Sequence, residues 1–418
     1  MPDPDERILI AHLLRRTGFG PHPGRVEALV GGGTSAAIDS VLTSPALAPG
    51  DHPSFREGDD DPARRWLGLM VRPDAGLHEK MVWFWHGHLT SSEDKVGSWR
   101  MLYQQHLLLR QHALGNFREL LQAVTVDPAM LVYLDGDGST ADAPNENYAR
   151  EVMELFTLGR GRYNQDDVRG AAHALAGWSV DYDKARASFD PTSGPTRSVG
   201  VLGRQVNSAA DVVDVLCDHP ACALWVSERL YRFLVGESPA PDVADLLARR
   251  FRSSGLEIRP LVEDVLRRPE FLQTRGNRPR YPVEWAVATA TAFGTGSDTG
   301  AILDACTLLN QVPYQPPSVA GWPWGNGWLS ASSALAHAAR AIQGSQVANA
   351  PGVTAVRRAA DPVGAALDRC SLFEMSPSTW ASLKREWSSL ARATDIDDHD
   401  RAATLLATVI STPEFSLT

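Results

Sequence analysis

Helical periodicity constrains this chain most, because it recurs in nearly every segment outside residues 179–206. One predicted helix places a broad apolar stripe along its length, formed by Leu77, Met81, Val82, Trp85 and Leu89. Residues 179–206 differ, since Pro191, Gly194 and Gly203 would interrupt any long helix there. The sequence therefore predicts an all-α, mostly helical fold with a small β-hairpin or irregular excursion near residues 179–206.

The length and composition are those of a globular protein with a substantial core. The chain has 418 residues, of which 43% are hydrophobic and 22% charged. We expect residues 1–418 to form a single large helical domain, with a loop over residues 46–62. A possible internal pseudo-repeat has helix-Pro-Glu-Phe ends near residues 271 and 415. The simpler explanation of that similarity is that the same helix-terminating sequence is used twice.

Several classes of protein are disfavoured by the same data. The net charge of −10 argues against nucleic-acid binding, and no apolar run reaches the roughly 18 residues that a membrane span requires. The first seven residues lack a signal-peptide pattern, so a cytoplasmic location is expected. The four cysteines are too few and too scattered for a disulfide framework or a zinc knuckle. The oligomeric state stays open.

The segment Asn145–Gly159 is the strongest candidate for chemistry. On a helix, Asn147, Arg150, Glu151 and Glu154 would share one face, opposite an apolar one. Two carboxylates projecting the same way suit a hard metal ion in a helical bundle. We therefore expect this helix to be buried on both faces. The alternative is a solvated face with an Arg150–Glu154 ion pair.

A second candidate lies in the most aromatic stretch of the chain, where His86 and His88 are two residues apart. Histidine is the commonest metal ligand, and bulky aromatic neighbours would exclude water. On one helix, however, the two rings would point in opposite directions. They could share an ion with Glu151 or Glu154 only if the helix ends near Gly87. The alternative is a pair of hydrogen-bonded histidines that anchor a helix end.

The third candidate is a proline- and tryptophan-rich loop over residues 312–328. Trp322, Trp324 and Trp328 could form a stacking wall for a sugar, an aromatic ring or a cofactor. Plain core packing is the alternative.

These segments together resemble a bacterial family known as domain of unknown function 1800. The resemblance begins at Ala11–Gly20 and continues through Trp85–His88, Asn145–Gly159, Ala174–Trp178, Pro316–Pro323 and Pro413–Phe415. The family name implies no established activity, and many members look exported. Relatives often show a His-Asp pair where this chain has Phe189 and Asp190. His173 is a candidate substitute for that histidine.

Three functional hypotheses follow. The first is a metal-dependent oxidoreductase acting on a small molecule, with iron or manganese held by His86, His88, Glu151 and Glu154; zinc would favour hydrolysis. Asn147, Arg150 and His173 would then be catalytic residues. The second is a haem protein with His86 or His88 as axial ligand. The third is a non-catalytic carbohydrate- or peptide-binding module built on the tryptophan loop.

Overall fold

A computed structural model describes residues 4–46, 61–330, 336–341, 343, 347 and 349–418. The predicted loop at 46–62 falls almost entirely outside the described residues. The first ten α-helices, α1–α10, are Pro4–Thr17, Gly33–Leu42, Pro62–Met70, Leu77–His88, Glu93–Val96, Trp99–His112, Phe117–Thr125, Pro128–Tyr133, Glu146–Glu151 and Gln165–Leu175. A π-helix, Val152–Leu158, continues α9 without a break.

The predicted excursion is confirmed as two small antiparallel hairpins. Strands β1 and β2 are Trp178–Asp181 and Arg186–Phe189, and strands β3 and β4 are Val199–Val201 and Arg204–Val206.

The second half of the chain returns to helices. Helices α11–α17 are Ala209–Asp218, Pro220–Val235, Pro241–Ser253, Ile258–Leu266, Pro269–Gln273, Pro282–Phe293 and Thr299–Leu308. A short 3₁₀ turn, Gly325–Trp328, lies in the tryptophan loop, and residues 336–341 are helical. Helices α18–α22 are Pro351–Arg358, Pro362–Arg369, Pro377–Leu390, Asp398–Ile410 and Pro413–Ser416. The mostly helical fold with a minor β component is therefore confirmed.

Many helices begin where a polar side chain can accept a hydrogen bond from a free backbone N–H group. Asn145 caps α9 in this way, and Asn164 forms a capping box with Asp167 at the start of α10. Proline supplies the first position of α12, and Gly236 ends that helix in the left-handed conformation. These local signals fix where the helices that surround the core start and stop.

Two helices form the centre of the core. Helix α16 is buried along its whole length, and α4 is buried at ten of its twelve positions. They are joined by a buried ion pair between Lys80 of α4 and Glu284 of α16. None of the helices in the described part of the chain is long and apolar enough to cross a membrane.

Candidate functional site

Helix α4 carries both histidines of the aromatic segment. The helix ends at His88, one residue after Gly87, so both histidines lie within it. The extended backbone that a shared ion would require between them is therefore absent. His86 and His88 are 1% and 2% exposed. Because residues two apart on a helix point in nearly opposite directions, their rings contact different parts of the core. The two histidines therefore cannot both face one ion.

His86 holds the tryptophan loop against α4. Its Nε2 accepts a hydrogen bond from the backbone N–H of Tyr314, at 3.1 Å. The ring also packs against Trp66 and Trp322, with centroids 5.1 and 5.3 Å away. Burial lowers the pKa of His86 to about 3, so the ring is neutral at pH 7. The Nε2 lone pair is already engaged and is not available to a metal.

His88 contacts the helix that carries the glutamates, but through its backbone. Its Nε2 lies 3.0 Å from the carbonyl oxygen of Phe156, which can only accept, so Nε2 bears the proton. The ring stacks on Phe84 with a centroid separation of 5.7 Å. Burial, together with the charge of Arg229, lowers the pKa of His88 to about 3. His88 thus acts as a neutral donor.

The carboxylate helix has a shape that the sequence does not predict. After Glu151 it changes from α to π, with backbone N–H groups bonded to carbonyls five residues back, as from Gly159 to Glu154 at 3.1 Å. The carbonyls of Leu155 and Phe156 lie in the last turn, where helix carbonyls have no partner within the helix. The indole Nε1 of Trp225 donates to Leu155 at 2.8 Å, and His88 donates to Phe156.

The polar face of this helix is partly exposed, so the prediction of burial on both faces is wrong. Asn147 is exposed, and Arg150 pairs with Glu146 at 3.6 Å instead of with Glu154. Glu154 accepts hydrogen bonds from Arg160 Nε and the Tyr163 hydroxyl, each at 2.6 Å.

Glu151 and Glu154 have pKa values displaced in opposite directions. Partial burial, and then the charge of Glu154, raise the pKa of Glu151. The hydrogen bond from Tyr163 lowers the pKa of Glu154, although desolvation opposes it. Arg150 and Arg160 pair with carboxylates on this face of the helix. The face is therefore a network of exposed and half-exposed ion pairs.

The predicted metal ligands do not assemble into a centre. Within the described part of the chain, no three His, Cys, Asp or Glu side chains are grouped so that they could hold a metal ion. Three of the four residues have other partners: the His86 Nε2 lone pair is engaged by Tyr314, His88 donates to Phe156, and Glu154 is bonded to Arg160 and Tyr163. The metal-dependent enzyme and the haem protein stay predictions, although no three of His86, His88, Glu151 and Glu154 are grouped around one ion.

His173 lies in α10, and Phe189 is the last residue of strand β2. His173 Nδ1 is 3.1 Å from the carbonyl oxygen of Ala141 and therefore carries the proton. Its Nε2 is buried without a hydrogen-bond partner among the described residues. Phe189 packs on Trp178 with a centroid separation of 5.4 Å. The catalytic role of His173 stays a prediction. In this structure its ring is bonded to the loop that contains Ala141.

The three tryptophans of the loop occupy different environments. Trp322 is 8% exposed and stacks on Trp83, with centroids 4.9 Å apart. Trp328 is half-buried, and its Nε1 donates to the carbonyl oxygen of Pro323 at 2.9 Å. Trp324 is also half-buried, so two of the three rings keep accessible surface.

The close contact between the loop and α4 depends on one glycine, Gly321. Gly321 has a φ of +81°, and a Cβ placed on it would lie 2.3 Å from the carbonyl oxygen of Gly87. Only glycine fits at this position, because any side chain would require the loop to move away from α4.

Trp324 lies beside two arginines of α12. The guanidinium of Arg229 is 4.5 Å from the Trp324 ring centroid and 5.6 Å from that of Trp225. Arg232 lies 5.5 Å from Trp324. We call Trp225, Arg229, Arg232 and Trp324 the Trp–Arg stack. The first three are spaced i, i+4 and i+7, and so share one face of α12.

The Trp–Arg stack borders a small aromatic cleft. The cleft has a volume of about 30 Å³ and is lined mainly by Trp83, Phe84, Phe233, Tyr281, Trp322 and Trp324. Arg229 forms no ion pair with a carboxylate of the described residues, and its Nε is buried without a hydrogen-bond partner. Burial lowers the pKa of Arg229 to about 10, which leaves it charged at pH 7.

A family model described as "Protein of unknown function (DUF1800)" matches residues 12–417. The chain belongs to the DUF1800 family. No curated protein and no solved structure matches it.

Two of the segments that carry the DUF1800 resemblance meet at this site. The Trp85–His88 segment of α4 and the Pro316–Pro323 segment of the loop contact each other through Gly87 and Gly321. The sequence alone does not predict the Trp–Arg stack. The spacing of Trp225, Arg229 and Arg232 is visible in the sequence, but nothing in it connects α12 to a tryptophan about a hundred residues later.

Proposed function

We propose that this DUF1800 protein is a carbohydrate-binding module whose ligand is an acidic sugar polymer held at the Trp–Arg stack. The observation that carries the proposal is the half-buried Trp324 ring beside two guanidinium groups, of which Arg229 has no carboxylate partner among the described residues.

The chemistry of the stack supports an anionic, ring-shaped ligand. Half-buried indoles, here Trp324 and Trp328, offer apolar surface to the C–H faces of a sugar. Guanidinium groups that lie over aromatic rings keep their planar N–H edges free for bidentate bonding to a carboxylate. Arg232 is exposed and is the group that a uronic-acid carboxylate would reach first. A neutral sugar would leave these cations unpaired.

The proposal does not include a chemical step. The described residues provide no group of three metal-ligating side chains, and the Glu154 carboxylate of the π-helix is engaged by Arg160 and Tyr163. The stack instead has the features of a recognition surface, with rigid aromatic groups and fixed charges.

Affinity electrophoresis through gels containing polygalacturonate or alginate tests this proposal, with neutral xylan as comparison. We expect retardation by the acidic polymers that decreases with salt. Trp324→Ala should weaken binding by at least about tenfold, equivalent to about 1.4 kcal/mol. Arg232→Gln should weaken binding to the acidic polymers alone.

Trp380→Ala is the matched control, because Trp380 is also half-buried and also has a cation, Lys384, 4.7 Å from its ring. It should bind as the unaltered protein does. Equal mobility of the unaltered protein in all gels, or equal effects of Trp324→Ala and Trp380→Ala, would refute the proposal.

A further inference from the structure

A second and larger cleft lies beside helix α1 and shares no residue with the Trp–Arg stack. Its volume is about 620 Å³, within the range of about 300–1,000 Å³ typical of small-molecule sites. Its walls come from α1, from the residues after α15, from residues 372–377 and from the end of the described chain around α22. Ile8, His12 and Arg15, at spacing i, i+4 and i+7, form the α1 side.

His12 presents an unused hydrogen-bond acceptor at this cleft. The side chain is 0% exposed, and its Nε2 lies 2.8 Å from the carbonyl oxygen of Phe271. A carbonyl oxygen only accepts, so Nε2 bears the proton. Burial and the neighbouring Arg16 lower the pKa of His12 to about 2, which keeps the ring neutral. Nδ1 therefore has a free lone pair, and it is buried without a partner among the described residues.

Arg15 supplies the opposite kind of group. One of its terminal nitrogens, Nη2, donates to the carbonyl oxygen of Ser371 at 2.6 Å. Its Nε is buried without a partner, and no carboxylate of the described residues pairs with it. Burial lowers the pKa of Arg15 to about 10, so a positive charge is present at pH 7. Arg15 is half-buried, and its buried, unused N–H group favours an acceptor, ideally an anionic one.

Glu414 completes the set with a carboxylate. Its Oε1 accepts the backbone N–H of Ser376 at 3.0 Å, whereas its Oε2 is buried without a partner among the described residues. The other carboxylate of the cleft, Glu374, is already paired with Arg275 at 3.1 Å. The cleft thus has one unmatched cation, one unmatched carboxylate oxygen and one unmatched neutral acceptor. Ile8, Phe373 and Met375 give the cleft apolar surface as well.

We propose that this cleft binds a small zwitterion with an apolar side chain, of which a free α-amino acid such as leucine or methionine is the simplest form. Its carboxylate would bind Arg15, and its ammonium group would donate to His12 Nδ1 and Glu414 Oε2. The apolar side chain would pack against Ile8, Phe373 and Met375. Each unmatched polar group of the cleft then gains a partner of the complementary kind.

Isothermal titration calorimetry on the full chain tests this inference with L-leucine, L-methionine and two truncated analogues. The analogue 4-methylpentanoate lacks the ammonium group, and 3-methylbutylamine lacks the carboxylate. We expect saturable binding of the amino acids and at least about tenfold weaker binding of either analogue.

Two variants locate the site. His12→Phe keeps an aromatic ring against Phe271 but removes the acceptor, and Glu414→Gln replaces the charge that would face the ammonium group. Each should weaken amino-acid binding at least about tenfold. His22→Phe is the matched control, since His22 also bonds a backbone carbonyl, that of Val71 at 2.8 Å, but lies outside this cleft.

The inference is overturned if neither amino acid binds at concentrations up to about 10 mM, or if both variants bind as tightly as the unaltered protein. If His12→Phe does not fold, Glu414→Gln decides alone. Because the ligands and residues differ from those of the Trp–Arg stack, either proposal can fail without the other.

Discussion

Hydrogen-bond partners, not residue types, decide what His86 and His88 do. Their sequence context predicts two roles, metal ligands or hydrogen-bonded anchors of a helix end, and their contacts are those of anchors. The sequence could not distinguish these roles, because the decisive partner of His86 is the backbone of Tyr314, 228 residues away. Partners this distant cannot be read from local spacing.

The contact between Gly321 of the tryptophan loop and Gly87 of α4 allows a prediction about one added atom, the Cβ of an alanine at position 321. Gly321→Ala should destabilise the protein by at least about 2–3 kcal/mol, because its left-handed φ costs about 1–2 kcal/mol and its new Cβ would overlap the Gly87 carbonyl. Gly325→Ala is the control. It has a φ of +55° but no atom within 4 Å of a new Cβ, so only the backbone cost applies. Urea denaturation measures both, and equal losses would contradict the contact.

The neutral histidines predict a pH dependence of stability. The pKa of His86 and of His88 is about 3 when folded, against about 6.5 when unfolded. Between these two pH values the unfolded chain therefore binds more protons than the folded one. The stabilising contribution of each neutral histidine is fully present above pH 6.5 and decreases as the pH falls from 6.5 towards 3. Within this range, each histidine lowers the free energy of unfolding by up to about 1.4 kcal/mol for each unit by which the pH falls.

His86→Gln checks this, because glutamine can still accept the Tyr314 N–H but does not titrate. Denaturation between pH 7.5 and 5 should show a shallower decrease for the variant than for the unaltered protein. Identical slopes would mean that His86 is not held neutral.

At the scale of elements, local signals predicted most of the fold. Helix periodicity and the cluster of proline and glycine indicated both the helical segments and the excursion that forms the two hairpins. The π-helix was not predictable, since seven residues are too few to separate periods of 3.6 and 4.4. Trp225 and His88 donate to two carbonyls in its last turn, so we expect its stability to depend on these tertiary partners.

Trp225→Phe tests this dependence. The change removes the donor to the Leu155 carbonyl, which should cost about 1–3 kcal/mol and speed amide exchange at residues 157–159. Thr157→Val removes only a side-chain bond to the carbonyls within the same helix and should cost less. Unchanged amide exchange in Trp225→Phe would show that the π-helix is stable without this partner.

At the scale of the whole molecule, buried charges connect segments that are far apart in the sequence. Glu284 of α16 pairs with Lys80 of α4 and, at 2.9 Å, with Arg278. Arg16 of α1 donates to the carbonyl oxygens of Thr274 and Thr418, at 3.2 and 2.7 Å. Although burial opposes it, the charges of Arg278 and Lys80 lower the pKa of Glu284 to about 2. The sequence gives no sign of this cluster, because its members are separated by up to 402 positions.

Glu284→Gln should therefore destabilise the protein by about 3–5 kcal/mol, because it leaves Lys80 and Arg278, both 0% exposed, without a carboxylate. Glu263→Gln is the control: its ion pair with Arg267 is exposed and should contribute less than about 0.5 kcal/mol. The cluster joins both ends of the described chain, so we expect the whole chain to unfold in one cooperative transition. Glu284→Gln should shift that unfolding transition equally when it is followed by circular dichroism and by tryptophan fluorescence. Two separate transitions, of which only one shifts, would contradict the predicted single domain.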